Sequence, residues 1–418
     1  MTRAGFRSLL SDPIGCDRPI LVDIGTSSLT AVRAVARPDL RRGMLAQPAM
    51  ETLALSSGDC ARLGSDCVRA GFLFPGADPK QDTFTDAYGV EWLRVDGVAT
   101  PVRHPLEDAT LAQIVKHPRP EWPKLIQVPE NDASDRIIVA DAPCLGMLDM
   151  SFALRNAWGC LEDMTSNWQS ISALLDWSIE TIVEAYDRML GALPFAPDIV
   201  VYGDDLGFQQ SMFISDVDFR TFVRPRMRTL FSRLRRITDA SLCFHSCGAI
   251  RPILSDLCDL GIDLLNFDGA ARGMICTEVR RELPRGLIFH GCSNLVALGS
   301  AVREGNLGSV ALLATEIIES MPVIAAPMDN MYAARELDDA RLGACLLHQL
   351  SPDDLAAISR LGPVRSIVEN AVSKAQASEF SPLIGERAAC ISATSLSDIE
   401  HFSSADEVRP ESQPQTLQ

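Results

Sequence analysis

Short apolar runs alternate with helical segments through the middle of this chain. The run in "PDIVVYGDD" (197–205) is β-branched and bounded by Pro and Gly, as strands commonly are. Residues 160–190 and 215–237 instead space their apolar residues as amphipathic helices do. Because short, nearly continuous apolar strands between helices are typical of sheets buried on both faces, the pattern predicts a parallel sheet. The runs end near residues 140, 203, 245, 267, 290 and 326.

The number of repeats favours an α/β fold of the (β/α)8 TIM-barrel type, and an open doubly wound sheet is the alternative. No GxGxxG or GxxxxGK[ST] motif follows any run, which counts against a nucleotide-binding open sheet. We expect three regions. Residues 1–130 form an irregular N-terminal segment that packs on or enters the barrel, residues 131–380 form the barrel, and residues 381–418 form a disordered polar tail.

The composition excludes several classes of partner. The net charge is −17 and no Lys/Arg-rich run occurs, so nucleic acid is not an expected partner. No apolar stretch is long enough to cross a membrane, and the N-terminus lacks a signal-peptide pattern. We therefore expect a cytoplasmic protein whose 12 scattered Cys are reduced and mostly buried.

Acidic, His and Cys residues follow the apolar runs. The active sites of (β/α)8 barrels lie at the carboxyl ends of the strands, so these side chains are candidates for a metal site or a group of acids and bases. They are Asp204, Asp205, His245, Cys247, Asp268, His290, Cys292 and Asp329.

The pair His245 and Cys247 is the sharpest signal in this set. Residues i and i+2 of an extended segment point to the same side, so both side chains can reach one ion at the Zn–N and Zn–S distances of about 2.0–2.3 Å. The other residues have ordinary structural readings. Asp205 and Asp268 could cap helices, His290 could be a hydrogen-bonded core residue, and Cys292 could be an inert buried thiol.

Two segments resemble the uroporphyrinogen decarboxylase superfamily, most of all its corrinoid-dependent methyltransferases and their uncharacterised relatives. They are "YGDDLGFQQSMFISDVDFRTFVRPRMRTLF" and "FHSCGAIRPILSDLCDLGIDLLNF", and the likeness extends over about residues 80–345. The resemblance implies a (β/α)8 barrel with its cleft at the C-terminal face. The decarboxylases of the superfamily carry an Arg-rich N-terminal segment, and Arg3, Arg7 and Arg18 do not form such a motif.

The resemblance also implies a set of zinc ligands. His245 and Cys247 match the His-x-Cys ligands of the methyltransferases, whose third ligand is a later Cys. Asp329 lies where that Cys is expected, and Cys292 is the rival third ligand. Asp268 would offer a fourth contact, by likeness to a Glu in the related cobalamin-independent methionine synthases.

The resulting hypothesis is a zinc-dependent methyltransferase that moves a methyl group between a corrinoid protein and a small thiol or methylated substrate. The chain has no Asp-x-His-x-x-Gly cobalt-ligand motif, so the corrinoid would be carried by a separate partner protein. Two alternatives stay open. One is a metal-independent decarboxylase of a small or cyclic carboxylic acid, and the other is a non-catalytic relative that binds a ligand.

Asp204 and Asp205 are the candidate catalytic acids. Adjacent residues at a strand exit point to opposite sides, so we expect Asp205 to face the cleft and Asp204 to cap the helix that follows or to bind backbone N–H groups in the loop. In the decarboxylase alternative, either carboxyl would polarise or protonate the substrate. The oligomeric state is open, with a homodimer as one possibility.

Overall fold

The computed structural model describes most of the chain between residues 20 and 377. The described residues are Phe6, Leu9, 20–24, 40–42, 52–53, 57–75, 82–95, 98–128, 136–327, 331, 334–359 and 364–377. The candidate ligand Asp329 and the expected tail at residues 381–418 lie outside the described residues.

The strands are short and alternate with helices, as the apolar runs predict. In chain order they are β1 (Leu21–Val22), β2 (Leu40–Arg42), β3 (Thr52–Leu53), β4 (Cys67–Pro75), β5 (Thr83–Thr85), β6 (Glu91–Val95), β7 (Val98–Arg103), β8 (Leu125–Gln127), β9 (Ile137–Ala140), β10 (Ile199–Gly203), β11 (Ser241–Ser246), β12 (Leu264–Phe267), β13 (Ile288–Gly291) and β14 (Val323–Ala325).

Eight of these strands pair in parallel and curl into a (β/α)8 barrel, which confirms the expected fold class. Their order is β4, β9, β10, β11, β12, β13, β14 and β1, with neighbours in parallel register. This order follows the chain without the reversal that a doubly wound sheet shows. At the remaining seam, Asp66 donates its N–H to the carbonyl of Val22 at 2.8 Å, and its carboxylate accepts the N–H of Val22 at 2.9 Å.

Helices cover the outside of the barrel. They span Ser57–Arg62, Leu111–Val115, Met147–Arg155, Ala157–Ser166, Trp168–Ala192, Asp216–Asp218, Arg224–Ile237, Leu254–Cys258, Cys276–Glu282, Leu295–Glu304, Leu307–Glu319, Ala334–Gln349, Pro352–Ser359 and Val364–Ala377, with a π-helical turn at Phe219–Val223 and a 3₁₀ turn at Arg251–Ile253. None of the helices in the described part of the chain is long and apolar enough to cross a membrane.

The N-terminal region contributes directly to the barrel. Strands β1 and β4 are two of the eight barrel strands, and both lie before the boundary expected at residue 131. Strands β5, β6 and β7 form a separate antiparallel sheet. The side chains of Phe6 and Leu9 are buried with the apolar side chains inside the barrel, so they belong to its core.

Candidate metal centre

The barrel interior changes from apolar to polar over two residues in six of its eight strands. Its apolar layers contain Leu21, Cys67, Ile137, Val139, Ile199, Cys243, Leu264, Ile288 and Ile324. Because side chains alternate along a strand, the next inward residue comes two positions later. In six strands that residue is polar, and we call this set the polar layer: Asp23, Arg69, Asp141, His245, Asn266 and His290.

Three potential metal ligands meet at the carboxyl end of β10 and β11. One ligand atom from each of Asp205, His245 and Cys247 lies within 4.8 Å of the other two. His245 Nε2 is 3.5 Å from Cys247 Sγ and 3.6 Å from Asp205 Oδ1. All three side chains are half-buried, so the cluster is open to the barrel mouth.

Two glycines let the loops after β10 and β11 touch. Gly248 has a φ of +88°, and a Cβ there would lie 2.2 Å from the backbone of Gly207. Only glycine tolerates this conformation and this approach without strain. The contact allows Leu206 to donate its N–H to Ser246 Oγ at 3.0 Å and Cys247 to donate its N–H to Asp205 Oδ1 at 2.8 Å. The loop packing therefore brings Asp205 to the His245–Cys247 pair.

A hydrogen-bond series connects His245 to a buried ion pair across the barrel. Asn266 Oδ1 lies 2.7 Å from His245 Nδ1, and Asn266 Nδ2 lies 2.7 Å from His290 Nδ1. His290 Nε2 is 3.0 Å from Asp23 Oδ2. Asp23 in turn pairs with Arg69, whose other Nη is 2.7 Å from Asp141 Oδ1. The polar layer is thus a continuous series of contacts from Asp141 to His245.

The donor set fits a divalent cation. Burial raises the pKa of the Cys247 thiol well above its usual value, and the nearby carboxylate of Asp205 raises it further. A bound cation reverses this effect, because it favours the thiolate and neutralises the carboxylate. Carboxylate, imidazole and thiolate together are ligands that suit Zn²⁺, and three protein ligands with one open position are the pattern of catalytic zinc sites.

Asp204 has a structural position beside the cluster. Its carboxylate accepts the backbone N–H groups of Leu148 and Asp149 at 2.9 and 3.1 Å, and the hydroxyl of Tyr202 at 3.0 Å. It therefore caps the helix Met147–Arg155, which precedes β10, whereas the sequence favoured the helix after it. Burial raises the pKa of Asp204 to about 7, against the lowering effect of these N–H donors.

Asp149 connects the cluster to a cavity of about 330 Å³. Its Oδ2 accepts the backbone N–H of Asp205 at 3.1 Å, and burial raises its pKa, with a further contribution from the carboxylates of Asp205 and Asp204. The cavity is mostly apolar, with two ionisable groups. Its walls include Trp92, Pro101, His104, Leu145, Asp149 and Phe152.

The remaining predicted residues are not among the three converging ligands or lie outside the described chain. Cys292 has a left-handed φ of 53°, and its thiol contacts Cys276 instead of joining His245. Asp268 accepts the amide of Gln209 at 2.5 Å and the N–H of Ala270 at 2.8 Å, so both its oxygens hold local loop structure. Asp329 is not described.

Several residues of the site are missing from the sequence-based prediction. Asn266 and Asp23 belong to the polar layer, and Asp149 lies in the first turn of the helix after β9. The alternation of side chains along a strand could have identified Asn266, because it is the second residue after the inward-facing Leu264. The partnership of His290 with Asp23 had no such signal, since 267 positions separate them.

Comparisons with known proteins agree with this architecture. Residues 150–283 match the family model of uroporphyrinogen decarboxylase (URO-D). A methyltransferase from Methanosarcina mazei shares the fold, with a TM-score of 0.52 at 16% identity over 81% of this chain and 95% of that chain.

The other comparisons add little. The native xylanase 10B from Thermotoga maritima is 17% identical over 48% of this chain and 64% of its own, with a TM-score of 0.28. No curated protein matches the chain in sequence. The URO-D segment contains β10 and β11 with Asp205, His245 and Cys247, so the part of the chain that is similar to this family includes all three converging ligands.

Proposed function

We propose that this protein is a zinc-dependent methyltransferase that transfers a methyl group between a corrinoid protein and a small thiol or methylated substrate. The observation that carries the proposal is the convergence of Asp205, His245 and Cys247 within 4.8 Å at the C-terminal mouth of the barrel. When bound there, Zn²⁺ would supply a Lewis acid that lowers the pKa of a thiol or polarises a methylated atom.

The protein's own groups would position the substrate and handle its proton. The apolar walls of the adjoining cavity exclude water from a small substrate, and Asp149 joins that cavity to the cluster. In thiol methylation, the partner's corrinoid would supply the methyl group: the thiol sulfur would form the new S–C bond, and the electron pair of the broken Co–C bond would stay with the corrinoid. The proton lost by the thiol would pass to Asp149 once a bound cation offsets the charge of the neighbouring Asp205 and leaves Asp149 ionised.

Metal analysis of the purified full chain tests the ligand set. We expect one Zn²⁺ per chain in the wild type and strongly reduced Zn²⁺ in His245→Ala, Cys247→Ser and Asp205→Asn. The matched control is Cys243→Ala, which removes a thiol from the same strand and the same inward face, inside the apolar layers. Equal zinc content in the three ligand variants and the control would reject the site.

The transfer itself can be tested with methylcobalamin as a surrogate donor and a panel of small thiols. The proposal is supported if the methyl–cobalt absorption disappears only when both a thiol and Zn²⁺ are present. Zinc-loaded protein that leaves methylcobalamin unchanged, with or without candidate corrinoid proteins, would contradict it.

The second candidate is a metal-independent decarboxylase, which the three neighbouring carboxyl groups of Asp149, Asp204 and Asp205 favour. The raised pKa values of Asp149 and Asp204 suit a general acid that protonates the carbon released by loss of CO₂. CO₂ release from small or cyclic carboxylic acids by protein stripped of metal would identify this activity. The same preparation would be inactive as a methyltransferase.

A further inference from the structure

When His290 is neutral, the hydrogen-bond series that leads from Asp23 to His245 has one consistent assignment of its protons. Asp23 is fully buried, and although burial acts to raise its pKa, Arg69 and His290 together hold it below the usual value. Asp23 is therefore a carboxylate, which only accepts hydrogen bonds. His290 Nε2, at 3.0 Å, must carry the proton of that contact.

The proton on His290 Nε2 determines the orientation of Asn266. In a neutral His290, Nδ1 is then an acceptor, so the group that faces it must be the NH₂ of Asn266. The carbonyl Oδ1 of Asn266 is thereby directed at His245 Nδ1, 2.7 Å away. Because an amide oxygen only accepts, His245 Nδ1 must be the protonated nitrogen and Nε2 carries the lone pair.

We propose that Asp23, His290 and Asn266 are positioning residues that hold His245 as its Nδ1–H tautomer and present the Nε2 lone pair to Asp205 and Cys247. The inference rests on the proposed metal site, because the lone pair is what a metal would use. The Arg69–Asp23 ion pair, with side chains 2% and 0% exposed, anchors the far end of the series. Two histidines on the strands that flank β12 thus hold opposite tautomers.

The position of Asn266 between two rings follows from strand register. His245 pairs with Asn266 across β11 and β12, and Asn266 pairs with His290 across β12 and β13. All three side chains face inward at the same height, so Asn266 lies between the two rings and contacts both. An amide is suited to this position, because it donates at one end and accepts at the other.

Selective ¹⁵N labelling of the six His residues gives a direct test that needs no activity. In the metal-free wild type, long-range ¹H–¹⁵N spectra should show His245 protonated at Nδ1 and His290 protonated at Nε2. His245→Gln and His290→Gln variants assign the two signals. A His245 ring protonated at Nε2 would overturn the inference, whether or not the protein binds metal.

Metal affinity provides the second test. Asn266→Leu removes the acceptor for His245 and should weaken Zn²⁺ binding by about 10- to 100-fold, the usual loss for a partner of a metal-bound His. Asn266→Asp keeps an acceptor for His245 but loses the donor to His290, so it should bind Zn²⁺ more tightly than Asn266→Leu. The matched control Leu264→Ala changes the same strand and face two residues earlier, and it should keep wild-type affinity.

The outcomes separate this inference from the proposed function. If wild type binds Zn²⁺ and Asn266→Leu binds it equally well, the positioning role is wrong and the metal site stands. If wild type binds neither Zn²⁺ nor Co²⁺, the metal site is wrong, and the tautomers of the two histidines still decide the positioning role. If Asn266→Leu does not fold, the wild-type spectra decide the positioning role.

Discussion

The two ends of the barrel interior are built by the same strands and have opposite chemistry. Toward the amino ends the inward side chains are apolar, as Ile288 and Leu264 are, and two residues later they are His290 and Asn266. The apolar end stabilises the fold by burial, whereas each buried polar group costs free energy unless it is hydrogen-bonded. The side chains of the polar layer therefore pair with one another, and their pairing determines the geometry of the site.

Cavity size does not distinguish the two ends. A cavity of about 700 Å³ lies beside Asp198 and Ser241, at the amino ends of β10 and β11, and it is larger than the cavity beside Asp149. Metal-ligand atoms that converge in the described chain occur only near the smaller cavity. Position relative to the strand ends and the chemistry of the lining groups identify the site better than volume does.

Among the substitutions that test this comparison, we expect the largest loss of stability at the Arg69–Asp23 ion pair in the polar layer. Arg69→Met leaves Asp23 buried without its main cation and should lower the free energy of unfolding by about 3–5 kcal/mol. Urea unfolding followed by circular dichroism measures the change. The control is Arg119→Met, which breaks the exposed pair with Glu184 and should cost about 0–1 kcal/mol. An equal decrease in the free energy of unfolding in both variants would mean that the buried and the exposed ion pair contribute equally to stability.

A substitution in the apolar layers should affect stability without affecting the site. Leu264 is fully buried, and Leu264→Ala should cost about 2–5 kcal/mol by leaving a cavity. Zinc content should stay at one per chain, because Asn266 keeps its contacts. A loss of bound zinc in this variant, at temperatures where it is fully folded, would show that the two layers are not independent.

Substitutions of the two adjacent acids at the end of β10 should also separate stability from zinc binding, with smaller effects on stability. Asp204→Ala removes the cap of the helix Met147–Arg155 and should cost about 0.5–2 kcal/mol while leaving zinc bound. Asp205→Asn should keep its melting temperature and lose zinc. Thermal unfolding and metal analysis of both variants measure the difference, and a reversed result would exchange the roles of the two residues.

The smallest expected effect is a pH dependence at the barrel seam. Burial acts to raise the pKa of Asp66, but its hydrogen bonds to His348 and Val22 lower it overall. A folded-state pKa below the unfolded value of about 3.9 stabilises the protein above that pH, and the contribution is lost as pH falls through the lowered value. Between pH 5 and pH 3, Asp66→Asn should therefore lose less stability than wild type. Urea unfolding at each pH measures the free energy of unfolding of both proteins. An equal loss of stability in the two proteins would contradict the prediction.

Local sequence patterns predicted the parts of the site that depend on one strand. The barrel follows from the alternation of apolar runs and helices, and His245 with Cys247 follows from their spacing of two on β11. Asp205 was expected to face the cleft, and the structure places it with that pair. These features depend on the strand period and on the position of strand ends, which the sequence shows directly.

The rest of the site depends on register between distant segments. Asp23 lies in β1's inward row and meets His290 only because β1 is paired next to β14. Cys292 follows His290 by two residues, as Cys247 follows His245, yet its left-handed backbone turns it toward Cys276. Spacing alone does not distinguish these two cases, because the conformation of the residues after the strand decides which way the thiol points.

The seam between β1 and β4 has a consequence for how the protein folds. Strand β1 is two residues long and pairs with β14, about 300 positions later in the chain. Contacts between such distant segments have a high entropic cost and form late. We expect β1 to join the barrel in the last step, after the intervening strands have assembled. Since Asp23 arrives with β1, a chain still in synthesis would hold His245 and Cys247 in place before His290 acquires its carboxylate partner.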